Sequence, residues 1–229
     1  MMVMPANTTN ELVHLWAGRW PNALGHLYTP ARKERVRPWL PYALDNGRYS
    51  DFVHNRPFDE QNFIAHVERY AFLGQKPRWI VVPDEVGDDS ETFRLWNQWA
   101  PRLKEYGVPL AIAVQDGMTV SDVASLKPDV VFVGGSTEWK WLTVASWAAA
   151  FPRVHVGRVN SLSKLRLLKN LGVESCDGSG WFRGKQSQIV DLAVFLAECF
   201  EGDINQVCTE AKATRLTSNY SVQGAFELH

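Results

Sequence analysis

The strongest constraint on how this 229-residue chain folds is an alternation. Short apolar runs, each closed by polar or glycine residues, are separated by amphipathic stretches at helical spacing. Runs without a polar face suit strands covered on both sides, which means a parallel sheet layered with helices. Seven runs read as strands: residues 25–29, 42–44, 79–82, 110–114, 130–133, 154–156 and 173–176. Between them, Phe63, Ile64, Val67 and Ala71 share one helical face, as do Phe93, Trp96, Trp99, Ala100 and Leu103. Leu162, Leu165, Leu168 and Leu171 form a stripe after Asn160 and Ser161, which read as its cap. Ile189, Leu192, Ala193, Leu196 and Cys199 line the last strong helix.

About seven strand–helix units predict an α/β fold of the TIM-like (β/α) barrel type, for which ~250 residues is typical and ~200 is small. A doubly wound sheet is the alternative. The first dozen residues read as a mobile terminus, and no eighth strand is evident. Residues 1–202 are therefore expected to form the barrel domain. Residues 203–229, polar and weakly patterned, read as a tail, a closing element, a lid or a partner contact.

Composition excludes several classes. Apolar residues at 45% and charged residues at 21% rule out a disordered, collagenous or coiled-coil chain. Lys plus Arg number 24 against 25 Asp plus Glu, so no whole-chain basic footprint for nucleic acid exists, although a local patch is allowed. Three cysteines, Cys176, Cys199 and Cys208, form neither a disulfide framework nor a CxxC pair, which suits a reducing compartment. No basic segment leads into an apolar one at the start, and no apolar run nears the ~18 residues of a membrane span. The expected setting is the cytoplasm (the host's, for a phage-encoded chain). Ten Trp among 27 aromatics is a heavy load, part of which suits a stacking surface.

In parallel α/β folds chemistry collects at the carboxyl ends of strands. Those ends read LDNG with Asp45, VVPDEVGDD with Asp84 and Glu85, and AVQDG with Gln115 and Asp116. Then come VFVGGSTEW with Gly134, Gly135 and Glu138, HVGRVN with Gly157, Arg158 and Asn160, and SCDGSGW with Asp177. Carboxylates crowded into one cleft raise at least one pKa, leaving one acid protonated while another is ionised. That pairing serves double displacement at a sugar carbon, with one carboxylate attacking and another moving protons. A carboxylate with a carboxamide also reads the amide edge of a purine. Paired glycines allow close backbone approach to a planar ligand.

The order LDNG, VVPDE, AVQDG, FVGGS, VGRVN and CDGSGWFRG resembles the tRNA-guanine transglycosylases. It is closer still to their shorter relatives, the 7-deazaguanine DNA transglycosylases of phages and bacterial DNA-modification systems. The resemblance runs over about residues 25–184. It implies an enzyme that exchanges guanine in a polynucleotide for a 7-deazaguanine base, such as 7-cyano-7-deazaguanine, with no cofactor. By the same resemblance Asp177 is the nucleophile and Asp45 the general acid/base. Asp84 and Gln115 bind the base edge, and Gly134 and Gly135 contact its carbonyl. The tRNA enzymes' zinc site needs three close Cys and a His. Here Cys199, Cys208 and His229 are too far apart, so no metal is expected and DNA is favoured over tRNA.

Expected partners are thus DNA, or else tRNA, with free guanine and the incoming base; no membrane is expected, and a homodimer is allowed for. Phosphate contacts are expected from Arg158, Lys164, Arg166, Lys169, Arg183 and Lys185, from Arg48, and from the cluster Arg32, Lys33, Arg35 and Arg37 beside Trp39. Tyr49, Phe52, Trp139 and Trp181 follow strand ends and are expected to stack on bases. Trp16, Trp20, Trp96, Trp99, Trp141 and Trp147 read as core, and Cys176 as a small packing residue. His26 and His155 read as structural histidines. Each strand-end Asp also reads as a helix cap, and Gln115–Asp116 before Gly117 as a turn. A hydrolysing glycosylase and a non-catalytic base-binding protein are the rival functions.

Overall fold

The computed structural model describes residues 1–6, 8, 10–31, 37, 39–72 and 74–223, with backbone alone over 215–223. In chain order the elements are β1 (Met2–Met4), α1 (Glu11–Arg19), β2 (His26–Tyr28), β3 (Tyr42–Leu44), α2 (Arg48–Val53) and α3 (Glu60–Ala71). There follow β4 (Ile80–Val81), α4 (Asp89–Lys104), β5 (Leu110–Val114), α5 (Val120–Leu126), β6 (Val130–Val133) and α6 (Thr137–Ala150). The chain ends with β7 (Val154–Val156), α7 (Leu162–Asn170), β8 (Ser175–Asp177), α8 (Gly180–Arg183), α9 (Gln186–Phe200) and α10 (Ile204–Gln223).

All eight strands pair in parallel, in the order β1-β8-β7-β6-β5-β4-β3-β2. Bridges Val3–Leu24 and Ala6–Leu27 bring the two ends of this sheet together. Val3 N–H donates to Ala23 O at 2.9 Å, and Gly25 N–H to Val3 O at 3.0 Å. The sheet is thereby nearly closed into a TIM-like barrel. Strand order follows the sequence without reversal, so no doubly wound switch point exists.

Two expectations are corrected here. The first dozen residues are not a mobile terminus, because Met2–Met4 is the eighth strand. Three residues ending at Pro5, with partners at Ser175–Asp177, carry almost no local signal. Residues 204–223 are helical rather than irregular. Val207 and Ala211 are fully buried there, and Glu210 accepts from Trp16 Nε1 at 2.8 Å and from Arg19 at 2.7 Å. α10 thus lies against α9 and α1, across the seam where the ring closes.

Strand positions otherwise follow the apolar runs, with one consequential shift. The run at 173–176 forms a strand at Ser175–Asp177, so Asp177 is the last residue of β8. The expected cap of α7 is not made. Ser161 accepts no capping bond, Asn160 Oδ1 is committed to Gly180 N–H at 2.9 Å, and Asp191 takes Leu162 N–H instead.

Alternation along the strands divides the apolar residues into two cores. Met2, Met4, Leu27, Ala43, Trp79, Val81, Ala111, Ala113 and Val130 fill the barrel interior, with Phe132 against them. Alanines in β3 and β5 leave room for the Trp79 indole, which lies edge-on to Phe132 and His155. The larger core lies between strands and helices and takes in Trp16, Trp20, Trp96, Trp99 and Trp147. Gly25 is required where Met2 and Pro41 press in, since a Cβ there would lie 2.7 Å from Pro41 O. Among the described residues no helix is long and apolar enough to cross a membrane.

At the amino-terminal rim Glu174 accepts from Arg78 at 2.6 Å and from Arg153 at 2.7 Å. Burial alone would raise the Glu174 pKa, but the two guanidiniums overcome it and hold it at about 2. A depressed folded-state pKa adds stability above the unfolded value, and that stability is lost as pH falls toward 2. Glu174→Gln should therefore cost about 1–2 kcal/mol at pH 7, between the exposed and buried ion-pair limits. The deficit should shrink between pH 4.5 and pH 2 in urea unfolding, because the wild type loses the same interaction there.

Candidate active site

Every strand presents its carboxyl end to the same rim. Between these ends lies a cavity of about 530 Å³. Its walls include Asp45, Asp84, Gln115, Gly134, Gly135, Arg158 and Asp177, bringing seven of the nine expected site residues together. The size suits a single small ligand such as a heterocyclic base.

Asp177 closes β8 and is held from several directions. Its Oδ1 accepts from Arg158 N–H at 3.2 Å, and its Oδ2 lies 3.1 Å from His155 Nε2. Its carbonyl accepts from Val159 N–H at 2.7 Å. Arg158 reaches this position through a left-handed backbone, φ 59°. The glycine after Asp177 is demanded by crowding, because a Cβ on Gly178 would overlap Val159 O and press on Trp181 and Asn160.

Asp45 follows β3, half-buried, with Oδ1 accepting from Asn46 N–H at 2.9 Å. Its pKa rises to about 7, first through burial and then through the negative charges of Asp177 and Asp84. Asn46 and Gly47 N–H groups oppose the rise. Asp45 thus holds a proton near neutral pH and can exchange it.

Asp84 is buried between two amides. Asn46 Nδ2 donates to one oxygen at 2.7 Å and Gln115 Nε2 to the other at 2.6 Å. Burial raises its pKa to about 6, against the lowering effects of Asn46 and Arg48. Gln115 is oriented in turn by Gly87 N–H, which donates to its Oε1 at 3.3 Å. Each Asp84 oxygen retains a further acceptor position for a ligand N–H.

Gly134 continues the β6 ladder, its N–H donating to Val114 O. Gly135 has φ 64°, and any side chain on it would strike Asp116 and Trp139. Asp116 accepts from Ser136 N–H at 2.6 Å, so it ties two rim loops together and leaves Gln115 to face the cavity.

The remaining expectations divide. Trp181 is 0% exposed, packed beneath the Asp177 loop, so it cannot stack on a base. Trp139 packs its half-buried ring on Gly135 and Trp147 and is not a cavity wall. Both corrections have one cause: the first turns of α6 and α8 direct these rings inward, beneath the rim. Tyr49 and Phe52 on α2 are 48% and 54% exposed, and Tyr49 borders the cavity. The Arg158 guanidinium lies 4.6 Å from the Tyr49 ring centroid and donates to Gly135 O. Arg48 is buried rather than displayed; it bonds the Asp84 carbonyl at 3.1 Å and Glu85 at 2.5 Å. Arg166 is paired with Glu198, Lys164 covers Trp141, and Arg183 borders the cavity while donating to Ala6 O. Arg32, Lys33 and Arg35 lie outside the described residues. Cys176 is fully buried, and burial pushes its thiol pKa up.

Four residues support the site in ways the sequence reading did not assign. Asn46 stands beside Asp45 in LDNG, where its turn-forming character masks its role as donor to Asp84. Lys140 is buried on α6 and donates to Gly157 O at 2.6 Å; burial lowers its pKa to about 8. Asn160 joins the β7 and β8 loops through Gly180. His155 touches Asp177, a contact legible only once the inward parity of β7 is known. Among the described residues no group of three or more His, Cys, Asp or Glu side chains is placed to hold a metal; His229 lies outside them.

No protein-family model matches the chain, and no curated protein matches it significantly.

The raised pKa of Asp45 has a stability consequence. A carboxyl group whose folded-state pKa exceeds its unfolded value favours the folded state at low pH, and that contribution is lost as pH rises through about 7. Asp45→Asn should raise stability by about 1–3 kcal/mol more at pH 8.5 than at pH 5, because the unfolded carboxyl group is already ionised at pH 5 whereas the folded one ionises only near pH 7. Thermal or urea unfolding at the two pH values checks this. An equal effect at both would show that Asp45 is not charged against its surroundings.

Proposed function

We propose that the protein is a base-exchanging transglycosylase that removes guanine from DNA and installs a 7-deazaguanine base. One observation carries the reading: three carboxylates from three separate strand ends face one base-sized cavity, and each has a different environment. Asp177 is oriented by the Arg158 N–H, Asp45 is poised to carry a proton near neutrality, and Asp84 is clamped between two amides. The order of motifs shared with the 7-deazaguanine DNA transglycosylases supports the same assignment.

In this mechanism the target guanine leaves the base stack and enters the cavity. The oxygens of Asp84 accept from its amide edge, while the Gln115 amide and the backbone at Gly134–Gly135 border its carbonyl side. An Asp177 oxygen forms a bond to the anomeric carbon as the glycosidic C–N bond breaks. The electron pair of that bond leaves with the guanine, and Asp45 supplies the proton that neutralises it. The incoming base occupies the same place and returns its proton to Asp45. Its nitrogen then attacks the anomeric carbon, and the Asp177 carboxylate departs. Two inversions restore the configuration. One glycosidic bond replaces another, so no oxidant, reductant or nucleoside triphosphate enters the balance.

DNA is the polymer of this reading because the order of strand-end motifs is closer to the 7-deazaguanine DNA transglycosylases than to the tRNA enzymes, an argument by likeness. Incubation with radiolabelled guanine and either polymer tests the proposal, and label should enter DNA. Asp45→Asn should slow exchange by about 10²–10⁴-fold, and Asp177→Asn should abolish the denaturation-resistant protein–DNA adduct. Label entering tRNA alone would assign the other polymer. An abasic product without any incoming base would assign hydrolysis. Label in neither polymer would overturn base exchange.

A further inference from the structure

We infer that His155, fixed by Ser175, is the positioning residue for the attacking carboxylate of Asp177. The inference rests on the base-exchange reading and assigns a role to two residues that this mechanism does not otherwise use.

β7 and β8 are neighbours, with His155 paired to Ser175 in register. Both residues are 0% exposed. Ser175 Oγ lies 2.8 Å from His155 Nδ1, and Asp177 Oδ2 lies 3.1 Å from His155 Nε2. The three side chains therefore form one hydrogen-bonded line that climbs toward the cavity. The imidazole has little freedom to leave this line. Its centroid is 4.8 Å from Trp79 and 4.7 Å from Phe132, so aromatic rings confine it.

Proton accounting sets the direction of the line. An attacking carboxylate has no hydrogen to give, so Nε2 carries the ring proton and donates to Oδ2. A singly protonated ring then leaves Nδ1 as an acceptor, and the Ser175 hydroxyl donates to it. Every buried donor and acceptor in the line is used once. The opposite tautomer would face a bare nitrogen lone pair toward the carboxylate, which is repulsive in a buried site.

The residue types are those of a Ser-His-Asp hydrolase triad, but the polarity is reversed. Ser175 sits at the sealed end and is not a cavity wall, whereas Asp177 opens onto the cavity. Ser175 therefore anchors the far side of the ring rather than attacking. With His155 holding Oδ2 and Arg158 N–H holding Oδ1, the carboxylate plane is set before a sugar arrives. When Asp177 departs in the second half-reaction, the same two donors receive its returning charge. Among the described residues, Asp45 after β3, Asp84 after β4, Lys140 from α6, Arg158 after β7 and the neighbouring Cys176 of β8 are further charged or titratable groups around Asp177.

His155→Phe keeps a ring between Trp79 and Phe132 but removes both nitrogens. It should lower kcat for base exchange by about 10²-fold, the cost of a misplaced reacting group, while KM for the free base stays near the wild-type value. His155→Gln retains an N–H and should recover part of the loss. In wild-type protein, nitrogen-15 NMR should show the His155 ring with its proton on Nε2 and with Nδ1 accepting a hydrogen bond, and Ser175→Ala should move the Nδ1 resonance as that bond is lost while the proton stays on Nε2. Wild-type kcat in His155→Phe would overturn the inference, as would an Nδ1–H ring in the wild type. Should His155→Phe fail to fold, Ser175→Ala and the ring NMR decide the matter. Absence of exchange by the wild type on any polymer would defeat base exchange itself, and the ring tautomer with the Ser175-dependent Nδ1 resonance would still test the line.

Discussion

Closure of the barrel by residues 2–4 is the constraint on which the rest depends. β1 lies between β8 and β2, so three residues at the start of the chain join strands from its opposite ends. With the ring nearly closed, eight parallel strands share one carboxyl rim, and Asp45, Asp84, Gln115 and Asp177 meet over one cavity. An open sheet with the same motifs would spread them along an edge. The outer seam is braced as well, by Glu210 of α10 receiving Trp16 and Arg19 of α1.

Gathering carboxylates at a rim has an electrostatic cost, and the cavity differentiates them by environment. Burial is the leading cause of the raised pKa at both Asp45 and Asp84. Amide donors then partly offset it at Asp84, while the charges of Asp84 and Asp177 add to it at Asp45. One fold thereby holds a carboxyl group that exchanges protons near neutral pH beside others committed to hydrogen bonds. The arrangement is destabilising where charge is forced inside, which is common where a site is built for chemistry rather than stability.

Much of the site was legible because strand-end motifs in βα folds occur at readable places. LDNG, VVPDE, AVQDG and CDGSG each follow an apolar run, so their carboxylates could be assigned to one rim without coordinates. The aromatics and cations were less legible. Trp181 looked like a rim residue from its place after Asp177, yet the turn of α8 buries it completely. Arg48 looked like a phosphate contact, yet it is buried and supports the Asp84 loop. In both, side-chain direction decided the outcome, and direction depends on turn geometry and packing that spacing alone does not encode.

The sequence by itself determined the strand–helix alternation, the parallel sheet, the helical faces and the identity of the rim carboxylates. Those are local properties: a period of two or 3.6, a run length, a residue type after a strand. Only the tertiary structure decided that Met2–Met4 closes the ring, that α10 covers its seam, and that Asn46 and Gln115 share Asp84. It alone decided that His155 and Ser175 stand in line beneath Asp177. Each depends on which distant segments become neighbours and on which face of a strand turns inward. That is settled by closure of the whole barrel and packing of its interior, not by any one stretch of chain.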